Sequence, residues 1–291
     1  MTGRALVPVD TAIDQVPAQS GNVPALIFAR SFSSRPLSFS TDVSLELRGG
    51  DRLGPTGILC DLDIEWEPQL MRAVSDACSA QRVRGRDWFS MPGILLGGEA
   101  GAGRTHVARW LARAAGVPHI LFDASSDMFL RPFARPDVEL PIPISTAMVA
   151  SGCANPVVSI VGIEEATYEM VSFLSRMVDA TSNAAFPDQS LAAVIDYSAV
   201  TWIIQARDID AVPDRLSCRL NPIELQGVEP GQHELRVIDV LGEVLADRAI
   251  VVPADLDLDG LFASARGWLG RSTDEIYRFV DDLVGFHAPP F

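Results

Sequence analysis

One octapeptide constrains this chain more than any other stretch: Gly98-Glu99-Ala100-Gly101-Ala102-Gly103-Arg104-Thr105. It satisfies the pattern G-x-x-x-x-G-K-[ST] at every fixed position except the lysine, where arginine stands. A run of apolar or small residues at 91–97 leads into it, and a helix-like run at 105–115 leads away. That strand–loop–helix setting is the context the motif requires. Glycines let consecutive backbone N–H groups close around phosphate oxygens, and the N-terminus of the following helix favours an anion. The segment therefore predicts a phosphate-binding loop on an α/β sheet, with a nucleotide as its ligand.

The surrounding pattern agrees. Residues 119–124 and 199–206 read as short apolar strands, and 157–163 is a continuous apolar run of the kind buried on both faces of a parallel sheet. Helical spacing recurs at 68–81, 145–152 and 165–179. Strands alternating with helices imply a parallel α/β sheet. Residues 1–56 are rich in Pro, Ser and Gly, with strand-like pieces at 23–29 and 43–47 and no chemistry to name a target. The last 65 or so residues change character, with helical periodicity at 232–246, 258–269 and 273–284. The expected organisation is an N-terminal segment of uncertain fold at 1–56, an α/β domain at 57–226 and a small helical domain at 227–291.

Composition narrows the partners. A hydrophobic content of 48% supports a sizeable core. No apolar run approaches the roughly 20 residues that span a bilayer, and the N-terminus lacks a signal-like apolar stretch. A soluble, cytoplasmic protein without a membrane partner is expected. The formal net charge of −15 and the absence of a basic run argue against a nucleic-acid surface. Cys60, Cys78, Cys153 and Cys218 lack metal-type spacing and read as reduced structural thiols. All 23 basic Lys/Arg positions are arginine. Either a compositional bias toward arginine or selection against modifiable lysines accounts for that, and Arg104 is part of the pattern.

Four blocks, in order, carry a family resemblance over about 58–284. They are the glycine loop, Asn155-Pro156-Val157-Val158-Ser159-Ile160-Val161-Gly162-Ile163-Glu164, the stretch from Asn183 through Thr201-Trp202-Ile203-Ile204-Gln205-Ala206-Arg207, and Ile209-Asp210-Ala211-Val212-Pro213 with Arg219-Leu220 and Ile223-Glu224-Leu225. Together the chain resembles AAA+ ATPases, and among them the ATPase module of Lon-type proteases. The resemblance implies a P-loop parallel sheet flanked by helices, followed by a small all-helical lid. It implies ATP or ADP as cofactor, with Mg²⁺ possible, and assembly into a homo- or hetero-oligomeric ring serving a separate effector protein.

Carried over residue by residue, Gly98, Gly101, Gly103, Arg104, Thr105 and His106 hold the phosphates, His106 through its backbone, and the Thr105 hydroxyl is the metal ligand. The metal-binding Asp and water-activating Glu of the second motif fall on Val161 and Gly162. The nearest acids, Glu164 and Glu165, are displaced by three positions. They reach the catalytic roles only if the strand has already ended, since an odd shift along a strand reverses the face; otherwise they are solvated residues opening the next helix. The polar residue expected at the end of the 199–206 strand falls on Arg207. Arg219 takes the place of an arginine finger acting on a neighbour's nucleotide, and Arg271 that of a lid arginine; each also reads as a surface arginine. The loop that grips substrate in the family is Arg135-Pro136-Asp137-Val138 here, without its aromatic, and Phe133 is displaced. A chain without lysine cannot build a Ser–Lys dyad, so no protease activity is expected. The sequence thus leaves three readings: a nucleotide-binding module with weak or no hydrolysis, an ATPase using Glu164 and Glu165, and a nucleotide-free scaffold.

Overall fold

Five short apolar strands lie parallel at the centre of the molecule, in a computed structural model that describes residues 25–31, 43–54, 56–62, 67–125, 143–188, 193–226, 237, 240, 241, 244, 275–278 and 280. They are β3 (Ile94–Gly97), β4 (His119–Asp123), β5 (Val157–Val161), β8 (Thr201–Gln205) and β9 (Asn221–Glu224). Their order across the sheet is β4-β5-β8-β3-β9. The register sets Asp123 beside Val161, Ile160 beside Ile204, and Leu96 beside both Gln205 and Ile223. The carboxyl ends of all five strands therefore reach one edge, where ligands of open α/β sheets bind.

Alternation along each strand divides its side chains between two apolar layers. Ile94, Leu96, Val157, Ile203 and Ile223 face one layer, closed by α1 (Ile58–Leu62), α2 (Pro68–Val83) and α3 (Arg104–Ala115). Leu95, Val158, Ile160, Trp202 and Ile204 face the other, closed by α4 (Pro143–Ser151) and α5 (Tyr168–Val178). Burying one such aliphatic side chain contributes about 1.5–3 kcal/mol. Both faces are covered, so β5 and β8 need no polar alternation, and the only polar side chain inside β5, Ser159, meets His119 Nε2 at 2.9 Å.

A second sheet is antiparallel, with order β2-β1-β7-β6. It joins β1 (Ala25–Ser31) and β2 (Val43–Glu46) to a hairpin of β6 (Phe186–Asp188) and β7 (Ala193–Ile195). Leu45 and Leu47 enter the same apolar layer as α4 and α5. Edge-to-face aromatics bridge the two sheets: Phe186 to Tyr197 at 5.6 Å and Tyr197 to Trp202 at 5.8 Å. Tyr197 is fully buried, and desolvation pushes its phenol well above the usual range.

Asn155 pins the frame together. Its side chain is wholly buried. Oδ1 accepts from the Arg48 N–H at 2.8 Å, and Nδ2 donates to the carbonyls of Arg48 at 2.9 Å and Phe89 at 2.7 Å. One amide thus satisfies three backbone groups from two segments at the root of β5. The four cysteines are free; burial raises the thiols of Cys78 and Cys153, the latter to about 11, as expected of inert structural thiols.

Beyond residue 226 the described positions 237, 240, 241, 244, 275–278 and 280 are helical. Val237, Val240, Leu241 and Val244 are buried at helical spacing, as are Ile276 and Val280. These agree with the helices expected at 232–246 and 273–284; the one expected at 258–269 lies outside the described residues. No helix among the described residues is long and apolar enough to cross a membrane.

Candidate functional site

The glycine loop turns sharply off the end of β3. Gly98, Gly101 and Gly103 all have positive φ, at 142°, 85° and 91°, values that a side chain with a Cβ resists. Room is short as well. A Cβ on Gly97 would collide with the Glu224 carboxylate, and one on Gly98 would sit 3.1 Å from Ala102 Cβ. Gly103 caps α3 without a side-chain hydrogen bond, and the N-terminus of that helix follows the loop directly. A cavity of about 610 Å³ lies against this turn.

Four expected loop residues, Gly101, Gly103, Arg104 and Thr105, line the cavity together with His106. Arg104 Nη1 donates to the carbonyls of Gly98 and Ala206, the latter at 2.9 Å. The guanidinium thus ties the loop to the residue following β8, where a lysine would offer a compact point charge. Thr105 Oγ1 donates to Gln205 Oε1 at 2.9 Å. His106 is buried; its Nδ1 lies 2.6 Å from Tyr277 Oη and its ring 5.5 Å from that of Trp110.

Across the cavity, β5 stops at Val161, shorter than the run to 163 expected from the sequence. Gly162 adopts φ 69° and opens a 3₁₀ turn, Ile163–Glu165. A Cβ on Gly162 would stand 2.6 Å from Asp123 Oδ1, so the bend needs glycine for space as well as for φ. Because the strand ends first, the three-residue displacement does not turn Glu164 and Glu165 away. Both line the cavity with Val161 and Gly162. Each is engaged by Arg207: Glu164 Oε1 accepts the Arg207 backbone N–H at 2.6 Å and lies 3.9 Å from Nε, while Glu165 Oε1 lies 3.7 Å from Nη2.

Arg219 stands elsewhere. It follows α6 (Asp214–Ser217) and is not among the cavity-lining residues. Its Nε pairs with Asp179 Oδ2 at 3.1 Å, and its Nη1 donates to the Arg215 carbonyl. The Thr181 backbone N–H, the Thr181 hydroxyl and Arg219 together hold the Asp179 carboxyl below the usual carboxylate range. Arg271 and the segment with Phe133 and Arg135 lie outside the described residues.

Besides Arg109 of α3, three contributors were not visible beforehand. Tyr277 and Arg278 reach the cavity from the C-terminal helical segment, which periodicity placed on a helix without saying what its exposed face meets. Gln205 is the third. It is 4% exposed, holds Thr105 through Oε1, and its Nε2 has no hydrogen-bond partner. The available signal was a polar residue closing an otherwise apolar strand. Among the described residues, no three His, Cys, Asp or Glu side chains gather into a metal-binding group.

The chain is distantly similar to known proteins. No protein-family model matches the chain. It is 28% identical over 205 residues to a mitochondrial Lon protease homolog of Phaeodactylum tricornutum, covering 66% of this chain and 23% of the relative. It is 28% identical over 182 residues to the Lon protease of Frankia alni, covering 59% and 21%. It is 30% identical over 142 residues to mitochondrial Lon protease homolog 1 of Arabidopsis thaliana, covering 46% and 15%. The chain thus spans less than a quarter of the length of these curated relatives. Among solved structures, the RuvB Holliday junction branch migration motor of Thermotoga maritima superposes with a TM-score of 0.44 at 14% identity, covering 75% of this chain and 62% of the other.

Proposed function

We propose that the chain is an AAA+-type module, akin to the ATPase module of Lon, that binds ATP or ADP and hydrolyses it weakly or not at all. The observation that carries this reading is the left-handed glycine turn at Gly98, Gly101 and Gly103, opening α3 onto a 610 Å³ cavity. The residues fit a nucleotide polyphosphate. The turn brings the N-terminus of α3 to the cavity, the arginines lining it supply positive charge, and Gln205, on the same wall, has a buried Nε2 donor without a hydrogen-bond partner. Hydrolysis is less well provided for. Val161 and Gly162 occupy the positions of a metal-binding acid and a general base, and neither side chain can do that work.

A second reading, turnover through Glu164 and Glu165, is favoured by one observation: both carboxylates line the cavity. Arg207 engages both and competes for the lone pairs a base must use. Oligomerisation belongs to the same proposal. Arg219, held at the surface by Asp179, takes the place of a finger offered to a neighbouring subunit, and a separate protein would be the effector of the assembled ring.

Calorimetric titration of the full chain with ADP and ATP tests the reading, alongside thermal unfolding with the same ligands. A ligand that binds only the native state must raise the melting temperature. Saturable binding and a raised melting temperature are expected. Absence of both would leave an AAA+-shaped scaffold.

A further inference from the structure

Resting on that reading, we propose that the cavity takes its nucleotide without a divalent cation, the Gln205 amide and the cavity's arginines doing the work a metal would do.

A hard cation such as Mg²⁺ needs oxygen ligands in near-octahedral array, typically one or two carboxylates, a hydroxyl and phosphate oxygens. The donor set here does not meet that need. The loop hydroxyl, Thr105 Oγ1, donates to Gln205 Oε1, 2.9 Å away, a neutral amide that brings no negative charge to balance a cation. The strand position that would carry a metal-binding acid is Val161. Glu164 and Glu165 sit past the Gly162 bend and are engaged by Arg207.

The polarity of the cavity runs the other way. Gln205 is almost wholly buried at the end of β8, and with Oε1 given to Thr105 its Nε2 is left as a donor. A buried donor without an acceptor is unfavourable, and an incoming acceptor relieves that. A phosphate oxygen supplies that acceptor; a metal ion cannot. Charge agrees with this: Arg104, Arg109, Arg207 and Arg278 line the cavity against Glu164 and Glu165, four cations to two anions. Guanidinium groups are weakly hydrated, always charged, and match phosphate geometry in a fork, so they offset polyphosphate charge directly.

The test is calorimetry on the full chain with ADP and with ATP, in excess EDTA and in excess Mg²⁺, repeated on Gln205→Glu. For the unaltered chain the two dissociation constants are expected to agree within about threefold, well below the tenfold that marks 1.4 kcal/mol. Gln205→Glu places a carboxylate where the donor stood. It should weaken binding in EDTA by about tenfold or more, with Mg²⁺ restoring part of the loss. The circular dichroism and melting temperature of the ligand-free variant establish that it folds. If Gln205→Glu unfolds, Gln205→Leu, which keeps the volume and removes the donor, should weaken binding equally in EDTA and in Mg²⁺. Binding by the unaltered chain at least tenfold tighter in Mg²⁺ overturns metal independence and leaves nucleotide binding standing. Variants that bind like the unaltered chain in EDTA overturn the role of Gln205. No binding under either condition overturns this inference and the nucleotide reading together.

Discussion

Two bends at the carboxyl edge of the same sheet face each other across one cavity, and they present different things to it. The bend after β3 works through its backbone: Gly98, Gly101 and Gly103 are left-handed, and α3 opens directly behind them. The bend after β5 also depends on a left-handed glycine, Gly162, but what it delivers to the cavity is two side chains already occupied by Arg207. Binding an anion with N–H groups needs only a path of the chain. Activating water or holding a metal needs particular side chains at particular positions. Under the proposed function, a phosphate cradle persists where hydrolytic groups are absent, because the two functions rest on different parts of the residue.

Breaking the first bend should have the largest effect. Gly103→Val forces a β-branched residue to positive φ at a cost of about 1–3 kcal/mol. The strain falls on the loop itself, so ADP affinity by calorimetry should drop by roughly 100-fold or beyond detection. Full affinity in this variant would mean that the ligand is not held by the loop. Breaking the second bend should act on stability first. Gly162→Val combines positive φ with a Cβ 2.6 Å from Asp123 Oδ1 and 3.0 Å from Ser125 Cβ, and should lower unfolding stability in urea by about 2–4 kcal/mol. Affinity measured on the folded fraction should change less than in Gly103→Val. The smallest effect sharpens the contrast most. Glu164→Gln combined with Glu165→Gln should leave phosphate release at the background of the unaltered chain; a drop of tenfold or more, about 1.4 kcal/mol in barrier, would show that these acids do turn nucleotide over.

Much of the sheet was legible because its interior strands are largely apolar runs. Val157–Val161 and Thr201–Gln205 are buried on both faces, and such runs advertise themselves. The two edge strands differ. β4 is half-exposed but still reads as apolar, whereas β9 carries Pro222, a residue confined to sheet edges because it has no N–H to give the ladder. It was legible only as part of a resemblance, not as a strand. The hairpin of β6 and β7 went unread because three-residue strands leave no period to count, and its partner β1 is distant in sequence. At the site, the glycine loop declared itself by spacing. The placement of Glu164 and Glu165 depended on where β5 stops, and an apolar run does not say that Gly162 will turn left-handed one residue before Ile163. Gln205 was hidden for the opposite reason: its role arises from Thr105, 100 residues away in sequence, and no local pattern reports a partner at that distance.

The contact between His106 and Tyr277 has a spectroscopic consequence. Trp110 lies one helical turn from His106 with its ring packed against the imidazole, and Tyr277 Oη holds that imidazole from the C-terminal segment. Indole emission responds to the orientation and charge of a neighbouring imidazole. Whatever moves the C-terminal helix against the loop therefore registers in the emission of Trp110, and the difference between the unaltered chain and Trp110→Phe isolates that signal. The molecule carries an optical gauge at the seam between its glycine loop and its C-terminal segment, readable without a label.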